Sequence, residues 1–387
     1  MSLVPEGGDG LTVLALNAGS SSLKFGCFRV AGVRTVPMLS GEIDFGVDGG
    51  RLTVCKGHGS EPRVQVNSAR APDEAMDCIR GLLSGQGDVP LAIGHRIVHG
   101  GPGLRQHALI DAGVEAQLQA AAVFAPLHVP AALALLHAAQ ACFPEAAQVA
   151  CLDTAFHVGL PAIARTLPLP RALRELGIER FGFHGLSCES IVRQLGAGLP
   201  SRLVIAHLGS GASVTAVRGG ASVDTSMGLT PTGGVVMGTR CGDLDPGVLE
   251  YLMRTQGFDA ARLGELIDRR SGLLGLSGIS SDMRTLHEAA ATHPEARLAI
   301  DVFCRSASQR IAAMAVALGG LDCLVFTGGI GEHDGAVRAA IVADLACLAG
   351  AQSQDACAGF AVQVMHTREE EQIALHAAAI AGARQRS

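Results

Sequence analysis

Aromatic residues are scarce in this sequence, whose 387 residues contain no Trp, one Tyr and 12 Phe. Proteins that bind single-stranded nucleic acid stack the bases on aromatic side chains, and few such platforms can exist here. The net charge of -6 also provides no excess of basic groups for a phosphate backbone. Composition therefore predicts no nucleic-acid partner.

Cysteine pairs with metal-binding or redox spacing are also lacking. None of the 11 Cys belongs to a Cys-X-X-Cys pair, which argues against zinc ribbons and thioredoxin-like motifs. An odd number of scattered cysteines is typical of reduced thiols in a cytosolic protein. We therefore predict a cytoplasmic location.

Neither a targeting segment nor a membrane span is visible. The first ten residues, MSLVPEGGDG, lack the basic and apolar regions of a signal peptide. The most apolar long segment, residues 297–318, contains Asp301, Arg305 and Arg310, which favours a buried amphipathic helix. We expect no membrane partner.

The length of the chain and its 48% hydrophobic content favour two domains over one. We predict an N-terminal α/β domain at residues 1–150, joined by a C-terminal helix at 370–387. A second α/β domain is predicted at residues 151–369. A strand near Ala150, in QVACLDTAFH, is expected to open it.

A strand-turn-strand pattern occurs twice. LTVLAL leads through NAGSSS into a second apolar strand, and LVIAHL leads through GSGAS into VTAV. Aligning Gly19 with Gly209 places Ser20 on Ser210, which predicts a duplication of whole domains. Backbone N–H groups and hydroxyls in such turns can approach an anion. Each turn alone could be an ordinary β-hairpin, but two matched turns favour a pair of phosphate clamps.

A third glycine-rich segment, LDCLVFTGGIGEH at residues 321–333, has a strand ending in TGG. A helix is expected to follow from Asp334, so the segment resembles a nucleotide-contacting loop at the carboxyl end of a strand. It does not match GxGxxG, and GxxxxGK[ST] is absent, which argues against a P-loop protein. Strands and helices are mixed throughout, so the predicted class is α/β.

Arginine and histidine lie beside glycines and turns in several segments, where side chains reach a cleft. The segments are GHRIVHGG, APLHVP, CLDTAFH, RFGFHGLS and DTSMGLTPTGGVVMGTRCGDLDPG. Phosphoryl transfer needs positive groups for the equatorial oxygens, a metal ion and in-line positioning. Arg96, Arg240, the histidines and an Asp supply groups of this kind.

These segments, in this order, resemble the signatures of the acetate kinase family, the acetokinase family of short-chain acyl kinases. NAGSSSLKF, SGLLGLSGISSDMR and FTGGIGEH match further family segments, so the resemblance spans residues 11–374. It implies two duplicated α/β domains of the sugar kinase/Hsp70/actin (ribonuclease H-like) type, with an interdomain active-site cleft. It also implies a homodimer.

The resemblance implies a role for each matching residue. The catalytic residues would be Asp153, Arg96, Arg240, His184 and His128. The acyl substrate would be bound by Arg96, Val98, Leu127, Phe183 and Pro231. The nucleotide would be bound by Lys24, His207, Leu208, Gly209, Ser210, Gly211, Asp282, Met283, Arg284, Gly329, Ile330, Gly331, Glu332 and His333. Asn17 and Glu369 would hold Mg²⁺, directly or through water, with Mn²⁺ able to substitute.

Asp153 is the catalytic acid residue in family terms, but elementary chemistry assigns it another task. A simple carboxylic acid has a pKa of about 4–5, so the nucleophile is already ionised at pH 7 and needs no general base. We therefore expect Asp153 to orient Arg96 or the metal ion.

Five positions depart from the family pattern: Ser210, Val129, His333, Cys188 and Arg368. Each lies beside the residues assigned to chemistry, so these departures bear on nucleotide preference more than on reaction type.

The function implied by the resemblance is reversible transfer of the ATP γ-phosphoryl group to acetate, giving acetyl phosphate and ADP. Propionate or butyrate kinase is the alternative within the enzyme class, because one methylene changes binding by only about 1–3 kcal/mol. A non-enzymatic ATP-dependent clamp of the same fold is the alternative outside it. Such a clamp has no need of Arg96, Arg240, His184 and Asp153 together.

Overall fold

The computed structural model describes residues 10–19, 22–45, 51–56, 63–66, 69, 71–85, 87–348 and 359–384. Ser20 and Ser21 of the first glycine-serine turn lie outside the described residues. The chain separates into two compact units. Unit 1 comprises Met1–Ala155 and Arg368–Ser387, and unit 2 comprises Phe156–Thr367. The domain bounds expected from the sequence remain a prediction.

Within the described residues, unit 1 is built on an eight-stranded sheet and four α-helices. Its strands are β1 (Leu11–Ala18), β2 (Ser22–Ala31), β3 (Arg34–Asp44), β4 (Arg51–Lys56), β5 (Arg63–Val66), β6 (Ala92–Ile97), β7 (Ala108–Leu109) and β8 (Ala147–Leu152). Its helices are α1 (Pro72–Ser84), α2 (Ala112–Ala121), α3 (Val129–Cys142) and α14 (Glu369–Arg384). The strand order is β5-β4-β3-β2-β1-β6-β8-β7.

The neighbouring strands β1, β6 and β8 are the parallel part of this sheet. β1 is a nearly continuous apolar run with both faces buried, as is typical of parallel strands covered by helices. Helix α14 packs on these parallel strands through Ile373 and Ala377. A Cβ on Gly94 would lie only 2.5 Å from the Ile373 side chain, so glycine is needed in β6 for the helix to approach.

Unit 2 is built on a five-stranded sheet of order β11-β10-β9-β12-β13. Its strands are β9 (Leu203–Leu208), β10 (Ala212–Arg218), β11 (Ala221–Thr225), β12 (Cys323–Thr327) and β13 (Ala361–Val364). Its helices are α4 (Ala162–Arg165), α5 (Arg171–Arg174), α6 (Gly185–Leu195), α7 (Pro246–Gln256), α8 (Ala260–Arg269), α9 (Gly272–Ser277), α10 (Met283–Ala289), α11 (Pro294–Leu318), α12 (Gly328–His333) and α13 (Gly335–Asp344).

Helix α11 contains the predicted amphipathic segment and packs against β9 and β10. Its buried face includes Ile300, Phe303, Ile311 and Met314, which confirms the expected helix. Among the described residues, no helix has the length and apolar character needed to cross a membrane.

The two sheets repeat one strand order. β3-β2-β1-β6-β8 and β11-β10-β9-β12-β13 have the same sequence of antiparallel and parallel neighbours. β1 pairs antiparallel with β2, and β9 pairs antiparallel with β10, so the strands on either side of each glycine-serine segment form a hairpin as expected from the sequence. The α/β prediction is confirmed, and the shared order agrees with the predicted duplication.

Two local expectations differ from the structure. The strand near Ala150 is β8, which pairs in parallel with β6 and therefore belongs to the first sheet. The segment GGIGEH forms the short helix α12 where a loop was expected. Asp334 then caps α13 by accepting a hydrogen bond from the Val337 N–H, so the predicted helix after it is confirmed.

Candidate active site

Three predicted residues of unit 1 lie at the carboxyl ends of adjacent parallel strands. Asn17 lies near the end of β1, Arg96 near the end of β6, and Asp153 directly after β8. The register pairs Leu16 with His95 and Arg96 with Cys151, which sets the three strand ends side by side. Ligand sites of open α/β sheets form at such edges.

Arg96 and Asp153 form a buried ion pair. Arg96 Nε and Nη2 both donate to Asp153 Oδ2, at 2.9 Å and 2.5 Å. The Asp153 side chain is 2% exposed and that of Arg96 is 16% exposed. Burial opposes the charge, but Asp153, Glu369 and Glu370 outweigh it and raise the pKa of Arg96. The guanidinium is therefore held charged and in a fixed orientation.

Carboxylates from the first turn of α14 join this edge. Asn17 Nδ2 donates to Glu369 Oε2 and to Glu370 Oε1, each at 2.9 Å. Arg96 Nη1 lies 3.4 Å from Asn17 Oδ1. One amide and two carboxylates form a set of hard oxygen ligands, which suits Mg²⁺. Sequence reasoning missed Glu370, although the acidic run at the start of the predicted helix was a signal.

The other predicted residues of unit 1 lie on β2, just after β6 and at the start of α3. Lys24 is exposed on β2 and directly opposite Asn17 in the register. His128 occupies the N-cap position of α3 and is half-buried, as is Leu127. Val98 is buried just beyond the end of β6.

Two histidines of unit 2 stack on each other. The rings of His184 and His207 have centroids 4.3 Å apart and planes inclined by 22°. His207 lies on β9 at the position that Asn17 occupies on β1. His184 precedes α6 with φ of 56°, and it is the one described residue other than glycine in this left-handed region. Such backbone strain clusters at functional sites.

The Nδ1 atom of each stacked ring is hydrogen-bonded to a serine hydroxyl. His184 Nδ1 lies 2.9 Å from Ser213 Oγ, and His207 Nδ1 lies 2.8 Å from Ser187 Oγ. Ser213 is buried on β10, opposite His207 in the strand register. Sequence reasoning missed both serines. Ser187, three residues after His184 in FHGLS, was the more visible of the two.

Arg240 faces the same region of unit 2 as His184. Its Nη1 donates to the Pro231 carbonyl oxygen at 2.6 Å. A Cβ on Gly211 would lie 3.2 Å from Arg240 Nη2 and 3.2 Å from His184 Nε2. The two donors thus flank one position in the β9–β10 turn, and glycine leaves that position open.

The segments assigned to the nucleotide have structural contacts of their own. In the β9–β10 turn, the Gly209 N–H donates to the Gly211 carbonyl at 2.9 Å, and Ser210 is exposed. Asp282 caps α10 and pairs with the exposed Arg284, while Met283 is buried. These contacts fix the first turn of α10.

Glu332 is likewise engaged in α12. It accepts hydrogen bonds from the Gly328 N–H at 3.0 Å and from His366 Nδ1 at 2.6 Å. Burial favours its neutral form, but the hydrogen bond and charge of His366 outweigh burial and lower the pKa of Glu332. Of the predicted neighbours, Gly329 and His333 are exposed, Ile330 is half-buried and Gly331 is buried.

A sequence model described as the Acetokinase family matches residues 12–374. The chain belongs to this family. It is 42% identical over 355 residues to an acetate kinase from Thermosynechococcus vestitus, with 85% of each chain covered. It is 41% identical over 348 residues to acetate kinase 2 from Neisseria meningitidis serogroup B, with 86% of this chain and 85% of that protein covered. The recognition made from the motifs is confirmed.

Solved structures of the family share the fold. A propionate kinase from Francisella tularensis has a TM-score of 0.83 at 32% identity, with 95% of this chain and 98% of that chain covered. An acetate kinase from Porphyromonas gingivalis has a TM-score of 0.81 at 32% identity, with 96% of this chain and 99% of that chain covered. The predicted fold class is thereby confirmed.

Proposed function

We propose that the protein is an acetate kinase that transfers the γ-phosphoryl group of ATP directly and reversibly to acetate, giving acetyl phosphate and ADP. The observation that carries the proposal is the convergence of His184 Nε2 and Arg240 Nη2 on the open position at Gly211. Membership of the acetokinase family and relatives named acetate kinase support it.

The chemical problem is repulsion between two anions. Acetate is ionised at pH 7 and needs no general base, whereas the phosphoryl oxygens repel it. Arg240 and His184 offer N–H donors for the oxygens of the transferring group, as loose phosphoryl-transfer transition states require. Arg96 offers a second guanidinium, and the planar fork of arginine suits carboxylate and phosphate oxygens.

Asp153 acts as a positioning residue in this proposal. Its Oδ2 accepts from two nitrogens of Arg96, which leaves Nη1 directed towards Asn17 and the carbonyl of Ala18. The geometry supports a role in holding Arg96 and agrees with the expectation that Asp153 is no proton acceptor.

The metal ion of the proposal is Mg²⁺, with Mn²⁺ able to substitute. Asn17, Glu369 and the neighbouring Glu370 would hold it, since their oxygens fit a hard divalent cation. A bound cation would supply positive charge to the phosphate oxygens. The side-chain oxygens of these three residues lie together beside Arg96 and could serve either cation.

Propionate kinase is the second candidate, because a structural neighbour at 32% identity is described as a propionate kinase. The residues assigned to the acyl group are apolar: Val98 and Leu127 in unit 1, and Phe183 and Pro231 in unit 2. Apolar walls discriminate weakly between chains that differ by a methylene. Overlapping activity on acetate and propionate is therefore part of the proposal.

The proposal further includes a cytoplasmic homodimer with acetate and ATP as its small-molecule partners. Sedimentation equilibrium of the full chain checks the dimer, and a single species of 39.6 kDa would contradict it.

Purified protein with Mg·ATP is to be assayed for acyl phosphate, trapped with hydroxylamine, across formate, acetate, propionate and butyrate. Strong acetate-dependent turnover that is lost in Arg240→Ala is expected. Higher turnover with propionate would favour the second candidate. Hydrolysis of ATP without any acyl phosphate would refute both and favour an ATP-dependent clamp.

A further inference from the structure

Unit 2 contains a third serine-histidine pair, and its geometry reveals where the proton lies. His157 Nε2 is 3.0 Å from the Phe183 carbonyl oxygen, and its Nδ1 is 2.9 Å from Ser222 Oγ. A carbonyl oxygen can only accept, so Nε2 of His157 carries the proton. Burial lowers the pKa of His157 to about 4, so the ring is neutral at pH 7. Nδ1 must then accept from the Ser222 hydroxyl.

His184 and His207 have the same arrangement at Nδ1. Ser213 and Ser187 provide the hydroxyls, and both serines lie on regular elements, β10 and α6. A serine hydroxyl can donate or accept, so these two contacts alone permit either tautomer. The surroundings of the Nε2 atoms distinguish between them.

Both Nε2 atoms lie beside the glycines of the β9–β10 turn. A Cβ on Gly209 would lie 3.9 Å from His207 Nε2, and one on Gly211 would lie 3.2 Å from His184 Nε2. Arg240 Nη2 flanks the same Gly211 position. A guanidinium beside the ring disfavours a second positive charge, and an anion at this turn needs an N–H on Nε2.

We propose that Ser213 and Ser187 are positioning residues that donate their hydroxyl protons to Nδ1 of His184 and His207. Each donation fixes a neutral ring with its proton on Nε2. Two parallel N–H donors then face the glycine turn, stacked at 4.3 Å, without adding charge beside Arg240. The proposal rests on the proposed function only in taking the anion at the turn to be a phosphoryl oxygen. The tautomers themselves can be measured without turnover.

The tautomers are read by NMR of the full chain labelled with ¹⁵N-histidine, because the two ring nitrogens of each neutral tautomer resonate differently. Signals of His157, His184 and His207 are assigned with single His→Gln variants. We expect the Nε2–H form for all three in the wild-type protein. An Nδ1–H form for His184 would overturn the proposal.

The variant Ser213→Ala removes one hydroxyl from a buried strand position. We expect a mixture of tautomers for His184 and a fall in kcat of about 10-fold or more, with the KM for ATP within about twofold. Ser213→Thr keeps the hydroxyl and should preserve the wild-type tautomer and most of kcat. An unchanged tautomer and an unchanged kcat in Ser213→Ala would overturn the assignment.

Two matched variants separate positioning from general packing. Ser222→Ala should leave His157 as the Nε2–H form, since the Phe183 carbonyl still requires that proton. Ser308→Ala removes a buried hydroxyl bonded to the Cys304 carbonyl in α11 and should change neither tautomers nor kcat. If Ser308→Ala lowers kcat as much as Ser213→Ala, the positioning role is refuted.

The NMR and kinetic results distinguish the two proposals. Wild-type protein with Nε2–H rings and no acyl phosphate formation would refute the proposed function and leave the role of the serines supported. Active protein with an Nδ1–H ring on His184 would refute the serine proposal alone.

Discussion

The two sheets share a strand order but differ in the chemistry at the carboxyl ends of their parallel strands. In unit 1 this edge carries charge, with the Arg96–Asp153 ion pair beside Asn17, Glu369 and Glu370. In unit 2 the corresponding strand carries His207, which stacks on His184 with serine hydroxyls behind both rings. One topology thus holds a buried arginine–carboxylate pair in one unit and, in the other, two stacked histidines beside Arg240.

The difference teaches how a duplicated framework can divide a single task. A charged edge can hold a cation and neutralise anions, but it depends on its partners being present, because a buried charge left alone is costly. In unit 2, the proposed Nε2–H donors of the stacked histidines would add directed N–H groups beside Arg240 without a second positive charge. Four experiments would sharpen or break this comparison.

The largest effect is expected from Arg240→Ala in unit 2. Removing the guanidinium that flanks Gly211 should lower kcat by at least about 10³-fold, judged from the effect of arginine fingers. Arg240→Lys should recover only part of this loss, because an ammonium lacks the planar fork. A loss below tenfold in the hydroxylamine assay would remove Arg240 from the mechanism.

In unit 1, Arg96→Ala should destabilise the fold as well as reduce activity. It leaves the Asp153 carboxylate buried without its guanidinium, which costs about 3–5 kcal/mol. Urea unfolding followed by circular dichroism measures this change. The exposed pair of Arg171 and Glu175 gives the matched control, since Arg171→Ala should cost less than about 0.5 kcal/mol. Equal losses in the two variants would contradict a buried ion pair.

Acid should weaken both units through one buried histidine each. Burial lowers the pKa of His95 and of His157 to about 4. Below the unfolded-state pKa of about 6.5, only the unfolded chain binds these protons, so stability falls as the pH falls from 6.5 towards 4. The loss is roughly 2 kcal/mol per histidine at pH 5.

Urea unfolding at pH 7 and pH 5 checks this dependence. The free energy of unfolding should be lower at pH 5 than at pH 7. His95→Gln and His157→Gln should each remove about half of the part of this difference that the two histidines cause. The variants compare one histidine from each unit. If the free energy of unfolding changes between pH 7 and pH 5 by the same amount in both variants as in the wild-type protein, neither histidine is held neutral.

The smallest effect is expected from Gly211→Ala. The added methyl would contact Arg240 Nη2 and His184 Nε2 at 3.2 Å and occupy the position that they flank. We expect kcat to fall by about tenfold, equivalent to about 1.4 kcal/mol, with little change in stability. Gly264→Ala in α8 is the control, because its methyl would meet nothing within 4 Å. Equal activity of the two variants would show that the Gly211 position is not used.

Local sequence patterns predicted much of the framework. The apolar runs before the two glycine turns identified both hairpins, and the apolar segment at residues 297–318, with its interspersed charges, identified α11. The α12 turn was missed because GGIGEH contains three glycines, which are poor helix formers. Here Glu332 holds the turn by accepting from the Gly328 N–H, a contact that no propensity encodes.

Sequence could name candidate side chains but could not find all of their partners. Arg96 and Asp153 stand out in their motifs, yet their bond joins residues 57 apart. Ser213 lies 29 residues from His184 and is an ordinary strand residue until the sheet places its hydroxyl against the ring. Glu370 differs from Glu369 by one position in an acidic run, and only the direction of α14 brings both carboxylates to Asn17.

Helix α14 also sets an order of events during biosynthesis. Asn17 and Glu369 are 352 positions apart, so the amide leaves the ribosome long before its carboxylate partners exist. A nascent chain that stops before residue 369 has β1, β6 and β8 without the helix that packs on them, and it lacks the carboxyl groups of Glu369 and Glu370. If these residues hold a cation as proposed, the cation site is completed only when α14, one of the last segments to be translated, has been made.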